Sequence, residues 1–397
     1  MSAPQTTGKP VGMEVSIAIA EAAKLADVDI IAAYPITPQT HIVEHLAEIV
    51  ADGDLDAEFI PVESEHSALS VCCGTSAVGA RTFTATSSQG LALMHEILFI
   101  ASAMRLPIVM AVANRALSGP INIWNDHSDI MAERDAGWIQ VFAENGQEAL
   151  DLTLWAFRVA EDKRVSLPTI VNFDGFVLSH VIEPITLPDV DTVRKYLPTF
   201  EPLQRLDIDA PLSLGPVGMP DIYTETKKAQ LETLLASYGP AVEAWAEFEK
   251  IFGRSYKPIE TYKADDADVL LLTMGGIGET AMSVVDERRA KGHKVGLVRI
   301  RLWRPFPFAD FKAAIAKCKA LAVIDRALSF GGPMGPAASE VKAALYQETH
   351  RPLVVEFVAG LGGRDVTFAD FHLMFDETAA ALKAGKAPAP RMVGLRE

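Results

Sequence analysis

The stretch Tyr34-Pro35-Ile36-Thr37-Pro38-Gln39-Thr40 decides the fold of this chain. It follows an apolar run at 28–33 that is too short for anything but a buried strand, and it leads into an amphipathic run at 41–50. The two prolines end the strand, and Pro38 suits the first turn of the helix that follows. Thr37 is therefore predicted to lie at the carboxyl end of a strand, where ligands bind in open α/β sheets. A proline-stiffened turn without a ligand also fits the local pattern.

Further strand and helix patterns follow this stretch along the chain. Apolar or β-branched runs predict the strands, and a run of small residues at 66–78 predicts a helix that packs closely against the sheet. We therefore predict an α/β fold, a mostly parallel doubly wound sheet from about residue 10 to 180, with Thr37, Glu65 and Arg115 along one edge. The predicted strands after the first are 59–62, 81–86, 107–113, 136–141 and 167–173.

The segment 116–129 is too long for an ordinary connection, so it is a candidate functional loop. Asp126, His127 and Asp129 fall within four residues, a spacing that suggests a metal site. The same residues also fit the acidic start of a helix, and no further cluster of ligands is in view. We therefore predict no metal site on this chain.

The remainder of the chain divides into a proline-rich linker and a second α/β unit. Residues 183–265 predict an extended arm, which suits wrapping around a partner, and a helix at 222–250. The predicted domains are 1–185, the linker 186–264, and 265–397. Glycine-rich turns at 275–278 and 329–335 lack the G-x-G-x-x-G spacing of a dinucleotide site. We therefore favour a role in subunit packing over a nucleotide contact for both turns.

Composition limits the partners and the compartment. The formal net charge of −16 over 397 residues argues against binding nucleic acid or an anionic membrane surface. No apolar signal region or membrane-spanning run occurs, which predicts a cytoplasmic protein. The three cysteines, Cys72, Cys73 and Cys318, do not have the spacing of an iron–sulfur or zinc site. This chain alone therefore cannot hold an iron–sulfur cluster.

Four motifs together resemble the α subunit of the 2-oxoacid:ferredoxin (acceptor) oxidoreductases, especially the pyruvate branch. They are Tyr34–Thr40, Glu63–Ala68, Thr86–Leu91 and Asn114–Ser118. The resemblance runs in order over nearly the whole chain, and such enzymes use thiamine pyrophosphate. It implies a pyrimidine-type thiamine-binding sheet, followed by a domain similar to the C-terminal domain of transketolase, which Val298–Phe306 resembles most.

The resemblance assigns roles to individual residues. Glu65 would bond N1′ of the aminopyrimidine and so activate the coenzyme, because a carboxylate there favours the tautomer that removes the C2 proton. Arg115 would hold the carboxylate of a 2-oxoacid bidentately. Thr37 would bond the substrate or the pyrimidine, with Pro38 and Gln89 also at the cofactor. By pattern alone, Glu63 and Glu65 read as solvated charges and Arg115 as a solvent-facing strand end.

The resemblance also implies what this chain lacks. Related thiamine enzymes bind Mg²⁺ and pyrophosphate through Gly-Asp-Gly and a later Asn, whereas Asp174-Gly175 has no preceding glycine and no suitable Asn follows. A β subunit would therefore supply that half of a shared site. Iron–sulfur (ferredoxin-like) and γ subunits would carry [4Fe-4S] clusters, and the hetero-oligomer would form a dimer.

The expected reaction is oxidative decarboxylation of a 2-oxoacid to its acyl-CoA, with pyruvate as the first choice. Phenylglyoxylate or another aryl or branched 2-oxoacid is an alternative. Gly119 lies where relatives carry a slightly larger residue, and the extra room there would favour such a bulkier substrate. Asn125 and Asp126 would shape the site rather than react. Two alternatives of other classes are a non-oxidative thiamine lyase or transferase and a catalytically silent subunit that only assembles a complex.

Overall fold

A computed structural model describes residues 8–332 and 335–396. The strands are β1 (Pro10–Glu14), β2 (Ile30–Ala33), β3 (Glu58–Pro61), β4 (Thr82–Thr86), β5 (Val109–Asn114), β6 (Ile139–Phe142), β7 (Thr169–Asp174), β8 (Ile182–Thr186), β9 (Ile259–Tyr262), β10 (Val269–Thr273), β11 (Val295–Ile300), β12 (Leu302–Arg304), β13 (Ala320–Asp325), β14 (Leu353–Val358) and β15 (Arg391–Met392). The helices are α1 (Val15–Leu25), α2 (Thr40–Ala51), α3 (Glu65–Ala77), α4 (Ser88–Leu93), α5 (His95–Ala103), α6 (Ser128–Ala132), α7 (Gly146–Ala160), α8 (Val190–Tyr196), α9 (Pro220–Ala236), α10 (Tyr238–Phe252), α11 (Ile277–Ala290), α12 (Phe308–Ile315), α13 (Pro336–Leu345) and α14 (Phe368–Ala384).

The first sheet has seven strands in the order β12-β6-β7-β5-β4-β2-β3. All neighbours in it are parallel except β12, which runs antiparallel to β6. The predicted mostly parallel doubly wound sheet is therefore confirmed. The strand from 302–304 was not predicted to belong to it, because an edge strand contributed from far along the chain leaves no local signal.

Both faces of this sheet are covered, which explains its continuous apolar strands. Along β5, Val109, Ala111 and Ala113 enter one hydrophobic core, while Met110 and Val112 enter the other. This alternation is the two-residue period of a strand. Because neither face is free, every residue of β5 is buried.

The second sheet has the order β15-β14-β13-β10-β11-β9, with β9 antiparallel to β11. One of its faces packs with α11 and α14 around Leu271 and Phe371. The other face shares a core with the first sheet, in which Trp303 and Trp138 are both buried. The two sheets are therefore joined by a common hydrophobic core and by β12.

The segment between the sheets is more structured than the sequence predicted. β8 pairs with β1, and β9 lies inside the predicted linker but belongs to the second sheet. The single helix predicted at 222–250 is wrong, since α9 ends at Ala236 and α10 begins at Tyr238. Pro240 explains the break, because it has no N–H to donate to the carbonyl of Ala236.

Two C-terminal elements, α14 and β15, complete the second unit and were not predicted. A capping box at Thr367 and Asp370 starts α14. Among the described residues, the search for a helix with the length and apolarity needed to cross a bilayer found none.

Candidate active site

Five neighbouring parallel strands, in the order β3, β2, β4, β5 and β7, end at one edge of the first sheet. Because they share a direction, the segments that follow them lie along that edge. These segments carry, in the same order, Glu65, Thr37, Gln89, Arg115 and Gly175. The sheet topology thus brings together residues that are far apart in the chain.

Glu65 is the first residue of α3 and is only 6% exposed. Its side chain lies against the backbone of Gly90, where a β-carbon would come within 2.7 Å of Glu65 Oε1. The side chain makes no hydrogen bond or ion pair with any described residue. A buried carboxylate without a donor is costly, so Glu65 is suited to accept a hydrogen bond from a bound group.

Glu63, by contrast, is exposed, and Ser67 Oγ donates to its carboxylate. Ser64 between them caps α3 by accepting the N–H of Ser67 at 3.2 Å. The helix start therefore separates the two carboxylates, because it turns only Glu65 into the interior.

Other oxygens near this edge are buried and have no hydrogen-bond partner among the residues that the structure describes. They are Gln39 Oε1, Thr86 Oγ1 and Asn114 Oδ1. Gln39 Nε2 is fixed by donating to the carbonyls of Tyr34 at 2.8 Å and Ala85 at 3.3 Å. These buried oxygens carry an unsatisfied hydrogen-bonding capacity in the layer directly beneath the edge.

Arg115 follows β5 and is 6% exposed. Its Nη1 donates to the carbonyl of Thr37 at 2.9 Å, and its Nε donates to the carbonyl of Asn122 at 2.9 Å. Burial lowers the pKa of Arg115, while the nearby charge of Asp129 opposes that shift. Nη2 makes no hydrogen bond to a described residue, so that end of the guanidinium is available to an anion.

Asp129, on α6, connects the ends of β4 and β5. One carboxylate oxygen accepts the N–H groups of Ser88 at 3.1 Å and Arg115 at 3.0 Å. The other accepts from Asn114 Nδ2 at 3.1 Å and from the N–H of Ile130 at 2.7 Å. Burial raises the pKa of Asp129 to about 7, although these backbone N–H groups oppose the rise. This side chain therefore fixes the backbone that carries Arg115.

Asp174, at the end of β7, joins the two sheets. It accepts from Arg326 Nη1 at 2.6 Å and from the N–H of Gly276 at 2.8 Å, and it lies 3.0 Å from His127 Nε2. Burial alone would raise the pKa of Asp174, but the Arg326 charge and the His127 contact hold it well below its usual range. Burial lowers the pKa of His127 in spite of this carboxylate. The side chains of Asp174, Arg326 and His127 are almost completely buried, so the ion pair is part of the contact between the two sheets.

The loop 116–128, which is most of the predicted functional loop 116–129, packs against a turn of the second unit. Asn122 Nδ2 donates to the carbonyl of Gly362 at 3.1 Å, and Asp126 Oδ2 accepts the N–H of Gly362 at 3.1 Å. A β-carbon on Gly363, whose φ is +78°, would lie 2.3 Å from Trp124 Cβ. Only glycine allows both this backbone conformation and this approach.

A cleft of about 570 Å³ opens between this loop and the second unit. Gly119 lies in its wall, and no described residue stands within 4 Å of the place where a β-carbon would be. Its other lining residues include Ser118, Asn122, Asp126, Arg134, Ser329 and Leu361. The lining begins at Ala116, the residue that directly follows Arg115, so the cleft adjoins this part of the sheet edge.

The other residues predicted for the site lie at this edge as well. Thr37 is exposed, its carbonyl accepts from Arg115, and its hydroxyl has no partner among described residues. Pro38 is buried, and its ring would contact a β-carbon on Gly175 at 2.6 Å. Gln89 Nε2 donates to Ser118 Oγ, which ties the residue to the 116–128 loop.

The alternative metal interpretation of Asp126, His127 and Asp129 has no support in these contacts. Asp126 accepts from Ser128 and Gly362, His127 faces Asp174, and Asp129 accepts four N–H groups. Each side chain has its own protein partners, so the three do not converge on a common point in the described structure.

The glycine turn at 275–278 also has a structural explanation. The N–H of Gly276 donates to Asp174, and a β-carbon on Gly278 would lie 1.8 Å from Glu144 Oε1. The turn therefore packs onto the first sheet within the chain. Of the other turn, 329–335, residues 333 and 334 lie outside the described residues, and Ser329 lines the cleft.

Sequence reasoning missed the groups that hold this edge in place, namely Asp129, Asp174 and Arg326. The aspartate at 129 was noticed only as a possible ligand or helix start. The role of Asp129 could have been inferred, because a buried loop needs acceptors for its backbone N–H groups and a carboxylate supplies them. For Arg326 no local signal existed, because its partner is 152 residues away.

Comparison with known proteins gives consistent results. A family model described as pyruvate flavodoxin/ferredoxin oxidoreductase, thiamine diphosphate-binding, matches residues 21–240. A second, pyruvate:ferredoxin oxidoreductase core domain II, matches residues 267–371. Pyruvate synthase subunit PorA of Pyrococcus furiosus is 50% identical over 386 residues, 97% of each chain. The Thermotoga maritima PorA is 47% identical, covering 96% of each chain. Ketoisovalerate oxidoreductase subunit VorA of Pyrococcus horikoshii is 43% identical, covering 93% of each.

Solved structures agree on the fold. A 2-oxoglutarate:ferredoxin oxidoreductase from Magnetococcus marinus superposes with a TM-score of 0.70 at 20% identity, over 96% of this chain and 67% of that one. A split-gene transketolase superposes with a TM-score of 0.54 at 12% identity, over 93% of this chain and 99% of that one. The resemblance inferred from the four motifs is confirmed, and the chain belongs to the pyruvate flavodoxin/ferredoxin oxidoreductase family.

Proposed function

We propose that this chain is the α subunit of a thiamine-pyrophosphate-dependent oxidoreductase that oxidatively decarboxylates pyruvate to its acyl-CoA. The observation that carries the site assignment is Glu65, a carboxylate only 6% exposed and without a donor in the described structure. Family membership and relatives named as pyruvate synthase subunits support the reaction.

The edge fits the pyrimidine half of thiamine pyrophosphate. Glu65 would accept a hydrogen bond from the protonated N1′, and in doing so it would hold the proton whose movement activates the coenzyme. Gly90, which has no side chain, leaves room for this carboxylate. When bound, the coenzyme supplies a carbon nucleophile for the keto carbonyl of the substrate.

Arg115 is proposed to bind the carboxylate of the substrate. Two of its N–H groups already bond the carbonyls of Thr37 and Asn122, which fixes the plane of the guanidinium. The remaining N–H groups can grip a carboxylate, and burial strengthens that charge-assisted bond. The hydroxyl of Thr37, whose carbonyl accepts from the same guanidinium, would orient the keto group.

The Mg²⁺ and pyrophosphate half is proposed to come from a β subunit. Asp174 is the only aspartate followed by glycine at this edge, and both of its oxygens already serve Arg326, His127 and Gly276. It therefore does not fit a metal ligand. The relatives are named as subunits, which supports a complex with further chains.

Electrons are proposed to leave through [4Fe-4S] clusters in iron–sulfur and γ subunits of a dimeric hetero-oligomer in the cytoplasm. All three cysteines of this chain are buried, and burial raises the pKa of Cys73 and Cys318 to about 12. Thiols of this kind are poor cluster ligands, since ligation requires the thiolate.

The test uses the intact complex with CoA and a viologen dye. Dye reduction with pyruvate is expected. Phenylglyoxylate and 2-oxoisovalerate are the comparison substrates, the latter because one relative is named a ketoisovalerate oxidoreductase. A higher kcat/KM for either of these would replace pyruvate as the substrate. Products formed without dye reduction and without a brown chromophore would point to a non-oxidative lyase.

Glu65→Gln is the decisive variant, with the neighbouring exposed Glu63→Gln as its matched control. Removal of a catalytic proton acceptor costs on the order of 10²- to 10⁴-fold in rate. We expect such a loss for Glu65→Gln and near-normal activity for Glu63→Gln. Undiminished activity of Glu65→Gln in a complete complex would support a subunit that only assembles the complex.

A further inference from the structure

Glu14, His41 and His180 form a cluster beside the candidate active site. They come from three separate segments, the start of α1, the first turn of α2 and the turn between β7 and β8. Each offers one carboxylate oxygen or ring nitrogen, and the three atoms lie within 4.8 Å of one another. We propose that this cluster binds a divalent transition-metal ion, with Zn²⁺ as the first candidate.

The donor set suits such an ion. Two imidazoles and one carboxylate bind Zn²⁺ or Fe²⁺ in many proteins, whereas Mg²⁺ and Ca²⁺ prefer oxygen ligands alone. Three protein ligands leave at least one coordination position for water. No local pattern indicates this set, because its members are separated by 27 and 139 positions along the chain.

The adjustment needed to bind an ion is small. Ligands about 2.0–2.2 Å from a tetrahedral ion lie about 3.3 Å from one another. His41 Nδ1 and Glu14 Oε1 are now 2.6 Å apart in a hydrogen bond, so they must separate by less than about 1 Å. The widest pair, at up to 4.8 Å, must close by about 1.5 Å. Small side-chain rotations achieve both changes.

The backbone that carries two of the ligands is fixed. The N–H of Val15 donates to the carbonyl of Val181 at 3.2 Å, and the N–H of Ser16 donates to the carbonyl of Ser179 at 3.0 Å. Ser16 Oγ also donates to the Ser179 carbonyl at 2.8 Å. The residues on either side of Glu14 and His180 are therefore held together before any ion binds, which favours binding.

Ser179 also orients the His180 ring. Its Oγ accepts the N–H of Phe176 at 2.8 Å and lies 2.6 Å from His180 Nδ1. If Nδ1 carries the proton, it donates to this oxygen and leaves Nε2 with a free lone pair. Metal-binding histidines characteristically donate their second ring N–H to an oxygen in this way.

The position of the cluster gives the ion a structural role. The rings of His41 and His180 lie 4.5 Å apart, and a contact series continues through Phe176 to Trp124 of the 116–128 loop. His41 also follows Pro38 by only three residues. A bound ion would link α1, α2 and the β7–β8 turn next to the candidate active site. This structural role does not depend on which reaction that site performs.

A hydrogen-bonded cluster without an ion is the competing explanation, since His41 and Glu14 already pair. Glu14→Gln separates the two explanations. The amide keeps an oxygen that accepts from His41, so a hydrogen-bonded cluster tolerates the change, but an uncharged amide is a much weaker ligand for Zn²⁺ than a carboxylate.

The experiment uses the untagged full chain, stripped with a chelator and dialysed against micromolar Zn²⁺, with bound zinc measured by mass spectrometry. We expect one Zn²⁺ per chain, at least tenfold weaker binding for His41→Ala, His180→Ala and Glu14→Gln, and no change for the exposed control His293→Ala. Absence of stoichiometric zinc in the unmodified chain, or equal binding by all variants, would overturn the proposal.

His180→Cys covers the case in which the alanine variants fold poorly. Loaded with Co²⁺, this variant is expected to show a new thiolate-to-cobalt charge-transfer band in the near ultraviolet, because a thiolate would replace one ligand. The unmodified chain and the control His293→Cys should lack the band. If His180→Cys binds Co²⁺ without that band, residue 180 is not a ligand and the proposed site is wrong.

Discussion

Gly90→Ala is a test of the candidate active site that substitutes none of the proposed catalytic residues. A β-carbon at this position would lie 2.5 Å from Thr86 Oγ1 and 2.7 Å from Glu65 Oε1. Ordinary contact begins at 3.4 Å, so the carboxylate has to move outward by about 0.7 Å. The methyl group therefore displaces Glu65 from where it would meet N1′.

The expected loss follows from that displacement. Misplacing a reacting group by about 1 Å can cost about 10²-fold in rate, which corresponds to about 2.7 kcal/mol. We expect Gly90→Ala to lower kcat/KM for dye reduction by the intact complex by between about tenfold and 10²-fold. The affinity for thiamine pyrophosphate, measured by titration of the stripped complex, should fall as well.

Gly74→Ala is the matched control. Gly74 lies on the exposed side of α3, and a β-carbon there would meet nothing within 4 Å. It should leave activity unchanged and stabilise the helix by up to about 1 kcal/mol. If Gly90→Ala has unaltered kcat/KM and unaltered affinity for the coenzyme, Glu65 does not act from the position assigned to it.

Three further predictions concern the groups around Glu65. Arg115→Lys should raise KM for the 2-oxoacid by at least about tenfold, because an ammonium cannot bond the carbonyls of Thr37 and Asn122 and a substrate carboxylate in one plane; an unchanged KM would exclude Arg115 from substrate binding. Asp174→Asn should lower the free energy of unfolding by about 3–5 kcal/mol, because it leaves the buried Arg326 charge unpaired. The folded pKa of Asp174 is depressed, so its contribution to the free energy of unfolding is complete above about pH 4 and is lost at lower pH. Below pH 4, the stability of the Asp174→Asn variant in urea unfolding should therefore depend less on pH than that of the unmodified chain. Parallel pH profiles would contradict this. Gly363→Ala should raise KM and lower the melting temperature, because its β-carbon would lie 2.3 Å from Trp124 Cβ. The control Gly385→Ala has a similar φ of +66° but no described atom within 4 Å of its β-carbon, so it should show only the cost of backbone strain. Equal KM values for the two variants would show that the loop contact is unimportant.

The α/β fold and most of the first sheet could be predicted from sequence because their signals are local. Short apolar runs bounded by prolines and turn residues gave β2 and its neighbours, and a continuous apolar run at 107–113 indicated a strand covered on both faces. The four motifs indicated the family because each lies within a few consecutive residues. Glu65, Thr37, Gln89 and Arg115 could all be proposed on that basis.

Long-range pairings could not be predicted in the same way. β12 joins the first sheet from residue 302, and Arg326 reaches Asp174 across 152 positions. Neither contact alters the composition or spacing near either partner. The break between α9 and α10 was not predicted for a different reason. It depends on a single proline within an otherwise continuous helical pattern.

The sequence by itself determined the parallel strands of the first sheet and which chemical groups follow them, because propensity, proline placement and motif spacing act over a few residues. Only the tertiary structure decided that Glu65 is buried against Gly90 while Glu63 is exposed, that Asp174 is an interdomain ion pair, and that Glu14, His41 and His180 converge. Burial and partner choice depend on how the whole chain packs, so they are fixed only once distant segments meet.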